Sequence, residues 1–202
     1  GTIASCTFTI TVNNLPVVSF TLPGEQQEVC EDVSPFILTG GAPEGGTYSG
    51  TGVEDGEFDP VAAGPGTHTI TYTFEDGVGC TNFAQATITV HQLPEVSCPD
   101  NQLAYLDQAP FDLAALGATP AGGTFAGPGV NDDGNQFDPA EAGEGDHTIT
   151  YIYQDTETEC ENFCTFTITV AESFQVTCPD DMDVCIDDMP FPLTGAQPAG
   201  GT

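Results

Sequence analysis

The chain repeats itself, and that property sets the size of the unit that has to fold. Gly45-Gly46-Thr47-Tyr48-Ser49-Gly50 returns as Gly122-Gly123-Thr124-Phe125-Ala126-Gly127, and Phe58-Asp59-Pro60 returns as Phe137-Asp138-Pro139. His68-Thr69-Ile70-Thr71-Tyr72 returns as His147-Thr148-Ile149-Thr150-Tyr151, and Thr87-Ile88-Thr89-Val90 as Thr167-Ile168-Thr169-Val170. The order is kept and the offsets are 77, 79, 79 and 80 residues, which is tandem duplication. Cys6 to Val12 matches Cys164 to Val170, and Phe174 to Thr202 matches the first part of a unit. The expected organisation is the last strand of a preceding repeat over 1–13, whole repeats over 14–92 and 93–171, and the N-terminal part of a following repeat over 172–202. Such a window is expected to belong to a longer array.

Each unit shows short strand patterns separated by turn residues at roughly ten-residue spacing, as in a β-sandwich. Thr67 to Phe74 alternates strictly, with His68, Ile70, Tyr72 and Phe74 on one face and threonines on the other. That is a strand with one solvated side. Phe83 to Val90 and Phe163 to Val170 behave similarly, with Ile and Val inward. Pro35-Phe36-Ile37-Leu38 and Pro110-Phe111-Asp112-Leu113 read as a further strand entered through proline. About seven strands per unit predict an all-β fold of tandem immunoglobulin-like, PKD-like sandwiches. With 24 Gly and 16 Pro, helix is expected to stay below about 5%. Only His91 and Gln92 separate Val90 from Leu93. Joints this short, at roughly 40 Å per sandwich, lead us to expect a thin, semi-rigid rod.

Charge excludes whole classes of function. The chain has no Lys or Arg and 31 Asp plus Glu, a formal charge of −31. Nothing neutralises a phosphate backbone, so no nucleic-acid partner is expected. An anionic membrane surface repels the chain, and no apolar run is long enough for membrane insertion of this segment. Schiff-base and P-loop chemistry need a lysine that is not there. Eight Cys without a CxxC pair point to an oxidising, extracellular setting.

His68 and His147 occupy the same place in both repeats and are read as half-buried histidines hydrogen-bonded at the sandwich end. His91 is read as a joint residue. No nucleophile elbow accompanies them, and small sandwiches rarely offer the cleft that a pair of catalytic acids needs. No catalytic residue and no organic cofactor are expected. Gly45-Gly46 and Gly122-Gly123 precede no helix and read as turn and bulge glycines rather than a phosphate cradle. One metal is considered, calcium, on the oxygen-rich run Asn131, Asp132, Asp133, Asn135 and Asp138. The favoured reading of that run is a solvated acidic hairpin, with Asp59 and Asp138 turning the chain before proline.

Superposing the repeats suggests the cysteine pairs. Cys30 is expected to join Cys80, and Cys98 to join Cys164, where the first unit holds Phe20 and Ala84 instead. A large Phe beside a small Ala can fill the space of a disulfide. Cys160 matches Cys80, but the place of its partner holds Tyr105, so Cys160 is expected to stay unpaired. The competing pattern is Cys98–Cys160 with Cys164 free. Cys6, Cys178 and Cys185 belong to incomplete units and are expected to lack partners.

Taken together, G-G-T-[YF]-x-G-x-G-V, F-D-P, x-A-G-x-G-x-H-T-I-T-Y and the closing [AF]-T-I-T-V resemble the extracellular repeats of very large Bacteroidota surface proteins, among them the SprB-type gliding adhesins. The resemblance covers essentially the whole chain. It implies export by the type 9 secretion system, display at the cell surface, and a role as adhesin, filament or stalk, in gliding motility if the likeness extends that far. The expected partners are neighbouring repeats of the same chain and extracellular surfaces or glycans. Two other functions stay open: a glycan- or calcium-binding module, and the stalk of a larger secreted enzyme.

Overall fold

Two long alternating segments in each repeat pair with each other, and the other strands are added to them. In the computed structural model, which describes residues 6–173, the first repeat contains β1 (Ser19–Phe20), β2 (Glu28–Cys30), β3 (Phe36–Ile37), β4 (Gly41–Ala42), β5 (Thr47–Ser49), β6 (Val53–Glu54), β7 (Glu57–Phe58), β8 (Gly66–Glu75) and β9 (Thr81–His91). The second contains β10 (Gln102–Tyr105), β11 (Phe111–Asp112), β12 (Thr124–Ala126), β13 (Gln136–Phe137), β14 (Gly145–Gln154) and β15 (Glu161–Ala171). Residues 174–202 of the expected following repeat, with Cys178 and Cys185, lie outside the described residues.

β8 and β9 form an antiparallel hairpin from Gly66 opposite Val90 to Glu75 opposite Thr81. β5 lies antiparallel along β8, and β2 lies parallel along β9 with Cys30 opposite His91. The second repeat has the same sheet order, β10-β15-β14-β12, with β10 parallel to β15. A parallel neighbour cannot come from a tight hairpin, because the chain must leave the sheet and return. The opposite layer is made of short pieces, β3-β7-β6 and β1-β4 in the first repeat and β11-β13 in the second.

The alternation read from the sequence places the core. Ile70, Tyr72, Ile88 and Val90 turn inward and meet Phe20, Leu22, Val29, Leu38 and Phe58 from the remaining strands. Ile149, Tyr151, Ile168 and Val170 meet Leu113, Phe125 and Phe137 in the second. Each fully buried side chain of this kind contributes about 1.5–3 kcal/mol. These are all-β sandwiches.

The Phe-Asp-Pro motif starts a single helical turn, α1 (Pro60–Ala63) and α2 (Pro139–Ala142). Its Asp is the N-cap: Asp59 Oδ1 accepts from the N–H of Val61 at 2.9 Å and of Ala62 at 3.2 Å. Proline fits the first helical position, where its missing N–H costs nothing. With these turns and two short three-ten segments, helix reaches 8%, above the expected ceiling. An Asp cap and a pre-set proline φ suffice for one turn even in a glycine-rich chain.

The described chain divides into two compact units, and the division departs from the repeat boundaries. The first holds residues up to Pro94 together with Gln154–Asn162, and the second holds Glu95–Tyr153 and the chain from Phe163 on. The tip of the second repeat's hairpin is thus part of the first unit.

Candidate functional site

The hairpin tip 154–162 carries the feature the sequence reading missed. Asp155 organises it: Oδ1 accepts from the N–H of Glu157 and Thr158, both at 2.9 Å, and from Thr158 Oγ1 at 3.1 Å. These donors, the Thr158 amide foremost, hold the Asp155 carboxyl below its ordinary range. The Asp155 N–H bonds the Cys160 carbonyl at 2.9 Å. Two residues beyond Cys160, Asn162 Nδ2 donates to the Pro94 carbonyl at 2.9 Å.

Held in this way, Cys160 is bonded to Cys30, across a sequence separation of 130 residues. This corrects two expectations: Cys30 does not pair with Cys80, and Cys160 is not free. Cys80 is a half-buried free thiol. The reason lies in the strand register. Cys30 sits opposite His91, the last residue of β9, whereas Cys80 immediately precedes Thr81, its first. The two are separated by the length of an eleven-residue strand, about 35 Å, and a disulfide needs Cα atoms within roughly 7 Å. Tyr105 likewise lies opposite Ala171, at the far end of β15 from Cys160. Neither repeat can close this pair within itself. The register of the parallel edge strand decides this, and it is a property of the folded sheet. Within the same unit Glu31 Oε1 accepts the Leu93 N–H at 3.1 Å, and the Glu31 N–H reaches the His91 carbonyl at 2.9 Å. His91, expected in a linker, instead ends β9, with Nε2 3.8 Å from the Glu28 carboxylate.

Cys98 is bonded to Cys164, the pair predicted from the Phe20 and Ala84 exchange. The exchange involves a third position. In the second repeat Phe166 packs edge-on against Phe125 at 6.2 Å between ring centroids. Its counterpart in the first repeat is Ala86, and there Phe20 packs edge-on against Tyr48 at 5.4 Å. Phe20 therefore fills the space of both the disulfide and the Phe166 ring.

The remaining candidates are structural in their geometry. His68 Nε2 donates to the Gly64 carbonyl at 2.7 Å, and His147 Nε2 to the Gly143 carbonyl at 2.8 Å. Each closes the helical turn onto the strand that follows. Tyr72 and Tyr151 donate their hydroxyls to the Pro43 and Pro120 carbonyls and accept from Gly46 and Gly123 N–H at 2.7 and 2.8 Å. A Cβ on Gly123 would lie 2.3 Å from the Ile152 oxygen and 2.6 Å from the Tyr151 ring, so this second glycine of the repeated pair is there for close approach. Tyr48 and Phe125, the repeated aromatics, belong to the core packing and offer no exposed platform for a sugar.

In the acidic run of the second repeat, Asn131 Oδ1 accepts from the N–H of Asn135 and Gln136, both at 3.0 Å. Asn131 Nδ2 donates to Asn135 Oδ1 at 2.9 Å. Asp138 Oδ1 caps α2 through the Ala140 N–H at 2.9 Å. Asp132 and Asp133 are exposed. The matching piece of the first repeat is two residues shorter and turns at Asp55-Gly56, both at positive φ, the geometry of a two-residue hairpin loop. Among the described residues no three His, Cys, Asp or Glu side chains are grouped for a metal ion.

No known protein family matches the chain, and no curated protein matches it. Among solved structures, human mucin-like protocadherin EC1-2 is similar at 9% identity and a TM-score of 0.27, covering 78% of this chain and 99% of that one. A tri-modular GH5 endo-β-1,4-glucanase from Bacillus licheniformis is similar at 12% identity and a TM-score of 0.26, covering 77% of this chain and 39% of that one. Neither likeness bears on function.

Proposed function

We propose that this chain is a run of structural repeats from a long extracellular filament or adhesin, whose task is mechanical and which catalyses nothing. The observation that carries this reading is the Cys30–Cys160 bond, which reaches from one sequence repeat into the next. A force applied along the chain passes through that bond and bypasses the chain between Cys30 and Cys160, which holds β3 to β14. Two further features support the reading. Disulfides of this kind form in oxidising, secreted-type settings. A chain without Lys or Arg also offers no site to trypsin-like proteases, which suits an exposed fibre. Its partners would be neighbouring repeats and the surface or glycan that the fibre meets. On the resemblance to gliding adhesins, such a fibre would be displayed at the cell surface, moved along it, and would pass force to the substratum.

Single-molecule pulling from the two termini tests this. The oxidised chain should yield only the residues outside the 30–160 span. Reduction should then release the separation of 130 residues, a gain of about 430–470 Å in contour length. Equal contour lengths in the oxidised and reduced chain would sink the reading.

A further inference from the structure

Cys80 stands in a site built like the one that holds Cys160. The Asp76 N–H bonds the Cys80 carbonyl at 3.0 Å, as the Asp155 N–H bonds that of Cys160 at 2.9 Å. Asp76 Oδ1 accepts from Val78 and Cys80 N–H at 3.0 and 2.9 Å, the counterpart of the Asp155 turn. The residue before each cysteine has positive φ, Gly79 at 85° and Glu159 at 60°. Two residues beyond Cys80, Asn82 Nδ2 donates to the Pro16 carbonyl at 2.9 Å, just as Asn162 does to Pro94. The second tip is one residue longer and its Cys160 N–H turns to Thr158 Oγ1 instead, but the same Asp turn and the same Asn clamp frame both cysteines.

A second observation says what the partner is. Cys6 to Val12 has the same seven residues as Cys164 to Val170. In β15 Phe166, Ile168 and Val170 are buried in the core. Their counterparts Phe8, Ile10 and Val12 are 83%, 77% and 90% exposed. Among the described residues this segment pairs with no strand, whereas its counterpart closes the sheet of a sandwich as β15. Cys30 lies opposite His91, and the residue matching His91 at the end of this segment is Asn13, since Leu93-Pro94 matches Leu15-Pro16.

We propose that Cys80 is one half of a repeat-to-repeat disulfide, and that its other half is a cysteine at the place of Cys30, opposite Asn13, in a sandwich of this same kind closed by Cys6 to Val12. The proposal rests on the tandem-repeat reading above and adds a rule to it. A cysteine at the end of the parallel edge strand pairs forward with the hairpin cysteine of the next repeat, never with its own. In forming the bond the two thiols give up two protons and two electrons. A small-molecule disulfide such as oxidised glutathione takes them and leaves as two thiols, by way of a mixed disulfide.

The test extends the full chain. A second copy of residues 14–92, carrying Cys80→Ser, is placed directly ahead of Leu15 in place of residues 1–14. Both chains are oxidised with glutathione and mapped without reduction after cleavage by a Glu-specific protease. In the parent chain Cys80 should label as a free thiol while Cys30–Cys160 and Cys98–Cys164 are recovered. In the extended chain the Cys80 label should be lost, and Cys30→Ser in the added copy alone should restore it. Recovery of Cys30–Cys160 in every variant reports that the repeat holding Cys80 has folded, and protection of the added copy from limited proteolysis reports that the copy has folded. A Cys80 that keeps its label in the folded, extended chain overturns the proposal and leaves the tandem-repeat reading standing. A Cys30–Cys80 peptide from the parent chain overturns the proposal together with the Cys30–Cys160 pairing it extends.

Discussion

In the first repeat the Phe20 ring lies against Tyr48 and Tyr72, at 5.4 and 6.2 Å between centroids. In the second, the Cys98–Cys164 bond takes the place of Phe20 and Ala84, and Phe166 supplies the edge-on ring from the neighbouring strand. The surroundings are otherwise shared: the tyrosine clamp, the glycine beneath it, the capped turn and its histidine. A core of fixed volume can thus be closed by one ring or by a bond plus a ring, provided that three positions change together. The hairpin ends teach the reverse lesson. They are built alike but differ in bonding, because their sulfurs look outward, to a position that the host repeat does not contain.

The largest expected effect breaks the core comparison. Cys98→Ala with Cys164→Ala removes a bridge across 66 residues and should cost about 4 kcal/mol in the chain-entropy view. Installing the first repeat's trio instead, with Cys98→Phe, Cys164→Ala and Phe166→Ala, should recover part of that loss in urea denaturation. A triple variant no more stable than the double one would show that the exchange is not equivalent. Next in size, Gly46→Ala and Gly123→Ala should each cost about 1–3 kcal/mol. A Cβ at either position runs into the clamping tyrosine and the neighbouring strand's carbonyl. Unequal losses would show that one repeat can yield where the other cannot.

Smaller effects separate the hairpin tips. Because its folded-state pKa is lowered, Asp155 adds stability above its unfolded value of about 3.9. That contribution is lost as pH falls through the folded value. Asp155→Asn should therefore lower Tm at pH 7, and the deficit should fade in acid as pH drops through the lowered folded value. A deficit independent of pH would mean that the carboxylate charge plays no part. The smallest effect concerns ions. Screening of 31 acidic side chains should raise Tm with added salt, and CaCl₂ should match NaCl at equal ionic strength, because Asn131 and Asp138 each spend an Oδ1 on backbone N–H groups and no three acidic side chains are grouped there among the described residues. A gain specific to calcium would set the longer acidic loop of the second repeat apart as a cation site.

Much of this was legible from local pattern. The strict alternation of Thr67 to Phe74 announced the strand and its buried face, since side chains in a strand point to opposite sides with period two. Phe-Asp-Pro announced a turn, although its helical character came from capping hydrogen bonds that reach only three residues. The repeated glycine pair was visible, but the reason for its second glycine was not: the Tyr151 ring that fills the space arrives from 28 residues away. The Phe20 and Ala84 exchange exposed one disulfide, because both of its cysteines were replaced together.

What the sequence determined by itself is what depends on near neighbours and on self-comparison: the period of the repeat, its β character, the inward faces and the net charge. Which cysteines meet was decided by the tertiary structure alone. Cys30 and Cys80 share a repeat, yet they stand at opposite ends of one strand, because the edge strand bearing Cys30 runs parallel to β9 and ends beside His91. Cys160 reaches Cys30 because the hairpin of the second repeat folds into the first compact unit. Disulfide pairing is a matter of a few ångströms between Cα atoms, and the strand register that sets this distance leaves no mark on sequence spacing.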